Sequence, residues 1–183
     1  MQQLFFIILL ILSSFTLALQ AQTKHTTNQE LKSLYQADQA ARSSSNINWK
    51  ILSEKDKQRR ERVMRIIQSE GLSTGDDYYH SAMIFQHGET AEEIQMAYSL
   101  ATISYHLSPG NKKARWLIAA AWDRIMMRKN MPQWYGTQYS KASPDEPWEL
   151  YKIDETAVTD EERVKMNVPP LYEAKERVKE MNR

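Results

Sequence analysis

Cysteine is absent from the 183 residues. No disulfide, no lipobox thiol and no thiol nucleophile is therefore open to this chain, and its core must hold by packing alone. An excess of either charge is missing too: 24 Lys and Arg face 23 Asp and Glu for a formal charge of +1, and no charge lies in the first 21 residues. That balance argues against a strongly basic nucleic-acid binder and against an acidic disordered tail. Glycine occurs five times, at Gly71, Gly75, Gly88, Gly110 and Gly136, each at a plausible break between helical stretches. Long apolar runs are lacking as well. The longest, Leu4 to Leu12, has nine residues, short of the roughly 20 that a membrane span needs.

What is present is material for a core. Hydrophobic residues make up 42% of the chain and aromatics 10%, with five Trp and nine Tyr, a composition suited to a folded domain. The Leu4 to Leu12 run, followed by small Ala21 after Leu19-Gln20, has the form of a signal peptide over residues 1–21 rather than of a retained anchor, although no Lys or Arg precedes it. Export to a periplasmic or extracellular location is the expectation, with no stable membrane span after cleavage. Residues 22–29 are polar and aperiodic and read as a flexible tether, and residues 30–183 as a single helical domain.

Helical periodicity covers most of that domain. A first helix is expected from about Asn28 to Arg42, with Leu31, Leu34, Tyr35, Asp38 and Arg42 along one stripe. A second runs from about Ser53 to Ser69, Val63, Ile66 and Ile67 facing inward and Arg59, Arg60, Arg62 and Arg65 outward. Three more are expected at about Asp77 to His87, Thr90 to His106 and Lys112 to Lys129; Thr90-Ala91-Glu92-Glu93 is a capping box. Small residues Ala97 and Ala101, then Ala114 and Ala119 to Ala121, flank the Ser108-Pro109-Gly110-Asn111 turn, which predicts an antiparallel helical hairpin. One such unit resembles a tetratricopeptide pair, but no second copy follows at repeat spacing.

Beyond Asn130 the pattern shortens. Gln133 to Tyr139 and Pro147 to Ile153 are aromatic and alternating, which predicts a small β-hairpin or two extended arms. A short helix is expected from Thr159, and Pro169-Pro170 pre-sets the first turn of a last one, an ordinary surface helix. The fold class is thus mainly α: a compact helical domain with an antiparallel helical hairpin and a small β element near the C-terminal third.

Several polar segments stand at element ends: Gln86-His87-Gly88, Asp123-Arg124 after Ala120-Ala121-Trp122, Gln133-Trp134-Tyr135-Gly136-Thr137-Gln138, and Asp160-Glu161-Glu162-Arg163 with Val168-Pro169-Pro170-Leu171. In this order they resemble a bacterial family of unknown function, over most of the chain from about Asp38 and Arg42 onward. The resemblance implies an architecture and candidate positions, and no reaction.

Read physically, His87, Asp123, Arg124, Tyr135 and Gln138, with Gln133 and Thr137, are placed to converge, either as a ligand cleft or as a buried polar network. His87 and Asp123 are the candidate acid/base pair; Arg124, Gln133, Tyr135, Thr137 and Gln138 are the candidate ligand contacts. Asp and Arg inside the apolar Trp116 to Met127 stretch are costly unless paired, and Asp123 is expected to pair with Arg124 or to orient His87. No serine sits in a nucleophile elbow. His80 and His87, seven apart in one helix, would lie about 10 Å from each other, so no metal site is expected and no cofactor motif appears. The Arg59-Arg60-Glu61-Arg62 run, interleaved with acids, reads as a solvated face, and Met126, Met127 and Met131 as a core seam beside Trp122 and Trp134. Two functions follow: a cell-envelope binding or interaction module for a peptide, a protein or a small anionic ligand, and a small hydrolase using His87 and Asp123.

Overall fold

The computed structural model of the protein describes residues 26–44, 46–143 and 145–183. The apolar start, the expected cleavage position at Ala21 and residues 22–25 of the expected tether lie outside the described residues. Seven helices and one two-stranded sheet follow in order: α1 Gln29–Arg42, α2 Trp49–Ser69, α3 Gly75–Gln86, α4 Ala91–Leu107, α5 Lys112–Arg128, β1 Tyr139–Ser140, β2 Glu149–Leu150, α6 Asp160–Lys165 and α7 Leu171–Met181.

Each helix before α7 starts where a side chain can accept the free backbone N–H groups of its first turn. Asn28 and Asn111 each cap two amides, Asn48 caps that of Ile51, and Thr74, Thr90 and Thr159 form capping boxes with Asp77, Glu93 and Glu162. Two of these caps lie upstream of the expected starts. Asn48, not Ser53, opens α2, and the Ser53 hydroxyl instead bonds Glu89. Thr74 opens α3, with Asp77 three positions inside it. Pro170 occupies the N-cap of α7 rather than its first turn. Of the expected tether, Asn28 already donates its N–H to Asp77 and Gln29 opens α1.

The α4 and α5 hairpin is present, and its Ala97, Ala101, Ala114, Ala120 and Ala121 are fully buried, the small side chains that let two helix axes approach. The middle of the bundle is nevertheless α3, which packs against α1, α2, α4 and α5. From Ser81 to Gln86 every one of its residues is buried. Leu31 from α1, Val63 and Ile66 from α2, Ile94 from α4 and Leu117 from α5 complete the core around it.

Two expectations about α2 and the methionines need correction. Arg59 and Arg60 are 9% and 4% exposed, because helical spacing puts Arg59 on the face of Leu52, Asp56, Val63 and Ile66; Arg62 and Arg65 are the ones that turn away from the core. Met126 is buried, but Met131, past the end of α5, is 45% exposed and belongs to no core seam. The Trp122 and Trp134 rings do meet, with centroids 4.7 Å apart.

Past α5 the chain folds back on the bundle. β1 and β2 pair antiparallel, Tyr139 opposite Leu150 and Ser140 opposite Glu149, and Gln133 bridges Ile153 in parallel. Gly136 turns the intervening loop with φ +83°, a conformation that disfavours side chains.

At the entry to α1, buried Asp77 accepts N–H bonds from Asn28, Ser73 and Thr74 at 2.7, 3.2 and 2.9 Å. Asp77→Ala leaves these donors unpaired and is expected to cost about 2 to 4 kcal/mol in urea unfolding. A loss below about 1 kcal/mol would show that water replaces the carboxylate freely.

Candidate functional site

Asp123 and Arg124 are neighbours on α5, and helical geometry sends their side chains about 100° apart. They therefore serve different partners. Asp123, with 0% exposure, faces the loop after α5. Its Oδ1 accepts the N–H groups of Trp134 and Tyr135 at 2.9 and 3.0 Å, and its Oδ2 accepts the N–H and the hydroxyl of Thr137 at 3.0 and 2.8 Å. Burial raises its carboxyl above the ordinary range, against the pull of these donors. Arg163 of α6 seals the same loop from the other side, donating to the carbonyls of Tyr135 and Trp134 and to Asp160.

Within the loop, buried Gln133 receives the N–H of Gln138 on its Oε1 and donates its Nε2 to the carbonyls of Gln138 and Tyr151, all at 2.9 Å. Gln138 is thereby held against α5. Its Nε2 reaches the Ala120 carbonyl and the Thr137 hydroxyl, and its Oε1 accepts Arg124 Nε at 2.9 Å. Gln86, at the end of α3, donates its own Nε2 to the same Ala120 carbonyl.

Arg124 points to the end of α3. Its Nη1 donates to the Gln86 carbonyl at 2.8 Å, so both its bonds go to neutral oxygens. Arg60 from α2 donates to the His87 carbonyl at 3.1 Å, and Arg128 to that of Gly88 at 3.3 Å. Three guanidiniums thus close on the carbonyl end of α3, whose own last turn carries no basic residue; cations are favoured there by the unpaired carbonyls and the helix dipole. Arg60 is also paired with Glu93 at 2.8 Å. Among the described residues, Arg124 forms no ion pair with a carboxylate. Burial, then the like charges of Arg128 and Arg42, push its guanidinium down to about 10.

His87 closes the picture from α1. Its Nδ1 lies 3.1 Å from Asp38 Oδ1. Asp38 also takes Arg42 Nη1 at 2.7 Å, and Arg42 spans to Asp56, which holds Arg59 at 2.7 Å. Burial pulls the His87 imidazole below its ordinary value, against the attraction of Asp38. Burial works to raise the Asp38 carboxyl, but His87 and Arg42 outweigh it and hold it low. Because a carboxylate can only accept, the contact requires Nδ1 to carry the proton that it donates to Asp38.

Two sequence-based pairings are corrected by these contacts. Asp123 neither pairs with Arg124 nor orients His87, because it points at the loop amides; the carboxylate that orients His87 is Asp38. Gln133, Thr137 and Tyr135 join the network, Tyr135 through its backbone, and Gln138 links it to Arg124. The Thr137 hydroxyl is bonded to Asp123 and Gln138, and none of its contacts is with His87. Sequence reasoning did not assign Asp38, Arg42, Asp56, Arg60, Arg128 or Arg163 to the site. An acid in the Leu31, Leu34 and Tyr35 stripe, four residues before Arg42, was the available signal for the first two. Among the described residues, no three His, Asp or Glu side chains gather as a metal ion would require.

Comparison with protein-family models, with curated proteins and with solved structures finds no match.

Removing Asp123 unlocks the loop and leaves Arg124 with its partners. Asp123→Ala leaves three backbone N–H groups and the Thr137 hydroxyl without their acceptor and is expected to cost about 3 to 5 kcal/mol; wild-type thermal stability in this variant would contradict the contact set. For His87, a folded-state value below the unfolded one means stability that is complete above the unfolded value, near 6.5, and drains as pH falls through the folded one. His80, also lowered by burial, adds a loss of the same sign. Unfolding free energy should therefore decline from pH 7 to 5, with a shallower decline in His87→Gln; equal slopes would take His87 out of the account.

Proposed function

We propose that the protein is an exported binding module that holds a small anionic ligand at the arginine-lined end of α3. One observation carries the reading: Arg124 is largely buried, bonds only neutral oxygens, and has cations as its charged neighbours. A guanidinium taken from water without an anion is costly, and a bound anion removes that cost. Of the residues around it, His87 and Arg42 are partly exposed and Arg128 is exposed. The apolar Leu4 to Leu12 run supports export, and the segments that resemble the bacterial family are those that build the site and its supporting loop.

A second reading is favoured by the His87 and Asp38 contact. A neutral imidazole oriented by a carboxylate is equipped to take a proton from water, and Arg124 would hold the anionic end of a substrate nearby. In that hydrolase Asp38 is the positioning residue and Asp123 keeps the loop in place.

The binding reading predicts that a panel of acetate, sulfate and phosphate, titrated at fixed ionic strength, shifts the Arg124 Nε–H and His87 ring resonances along saturating curves. Arg128→Gln should weaken that binding by about ten-fold, the loss of one charge-assisted contact. Resonances unmoved by every anion would overturn the module, and turnover of an anionic ester that is lost in His87→Gln would favour the hydrolase.

A further inference from the structure

Resting on the anion site just proposed, we infer that its ligand is a dianion, a small-molecule phosphate monoester rather than a carboxylate. The charges at the joint sort themselves unequally. Asp38, Asp56 and Glu93 are taken by Arg42, Arg59 and Arg60. Arg124 and Arg128 remain, and neither forms an ion pair among the described residues. Arg128 spends one N–H on the Gly88 carbonyl, and Arg124 spends two on Gln138 and Gln86, which leaves Arg124 Nη2 and most of the Arg128 fork unbonded to protein.

Nearby acids do not close the gap. Glu89, next in the chain after Gly88, is turned to the Ser53 hydroxyl on α2, and Glu92 is held at the start of α4 by its own backbone N–H and the Thr90 hydroxyl. The carbonyl end of α3 supplies about half an elementary charge. More than one positive charge is left over. A carboxylate would leave part of it uncompensated, whereas a phosphate monoester, close to doubly charged above its second ionisation, near 6, matches it. Guanidinium forks accept either ligand geometrically, so the discrimination lies in charge.

His87 sits at the edge of this field. Its charged neighbours are Asp38, Arg42 and Arg124, with Arg60 from α2 on its carbonyl, and its protonation on acidification adds positive charge to the site. Acidification therefore favours a ligand of constant charge and works against one that loses charge.

The test uses the full chain and reads affinity from the Arg124 and His87 resonances, with sulfate, glycerol phosphate, inorganic phosphate and acetate as probes at constant ionic strength. Sulfate and glycerol phosphate are expected to bind at least about ten-fold more tightly than acetate at pH 7.5, a difference of about 1.4 kcal/mol. Between pH 7.5 and 5.5 glycerol phosphate should weaken while sulfate holds or tightens. In Arg128→Gln the preference for dianions should shrink toward that for acetate. Acetate binding as tightly as sulfate overturns the dianion and leaves the anion site standing. Inorganic phosphate binding while glycerol phosphate does not overturns the monoester. Failure of all four probes overturns the site itself.

Discussion

A guanidinium held at the carbonyl end of α3, with neutral oxygens for partners and cations for neighbours, is the constraint around which the rest of this structure is arranged. α3 runs through the middle of the bundle and its last residues are buried, so its terminal carbonyls cannot turn to bulk water. Donors have to be brought to them. Arg60 arrives from α2 and Arg124 and Arg128 from α5, and each long side chain can reach only if its helix is held in register against α3. The end of one helix thereby ties three others together, since His87 adds α1 through Asp38.

Arg124 can hold this position because its neighbour Asp123 fixes what lies behind it. The carboxylate gathers three amides and a hydroxyl from the loop between α5 and β1, and Gln133 folds that loop onto Gln138. Gln138 is then set to receive Arg124 Nε. A chain of satisfied polar groups thus runs from Arg163 through Asp123 to Gln138 and stops at Arg124, where neutrality is not reached. Satisfied members of such a network define the geometry. The uncompensated member is the one on which the proposed anion site rests.

Much of the helical framework was legible from the residues because caps and apolar spacing are local signals. Thr90 with Glu93 marked the start of α4 unambiguously. The start of α2 was read at Ser53, about one turn inside the helix that Asn48 caps, because helix ends are the least sharply marked part of a periodic pattern. The Arg run of α2 misled because interleaved acids suggested a solvated face, while the 3.6-residue period had already placed Arg59 with Val63 and Ile66. Polar residues inside the apolar stretch of α5 singled out Asp123 and Arg124, and both lie in the polar network. Their partners were not legible: adjacent helical residues diverge, and the partner of each is decided by which tertiary neighbour covers its side. Asp38 lies 49 residues from His87, and only the packing of α1 against α3 brings them together.

The most direct measurement of the central claim is the difference in unfolding free energy between wild type and Arg124→Met, taken at the same ionic strength with chloride alone and with sulfate. Met preserves most of the volume and removes the charge. If Arg124 is held for an anion, sulfate stabilises wild type by linkage beyond the general salt effect that the variant shares, so the difference widens as sulfate rises. A difference that stays the same across all sulfate concentrations would mean that Arg124 is a helix-end support and nothing more.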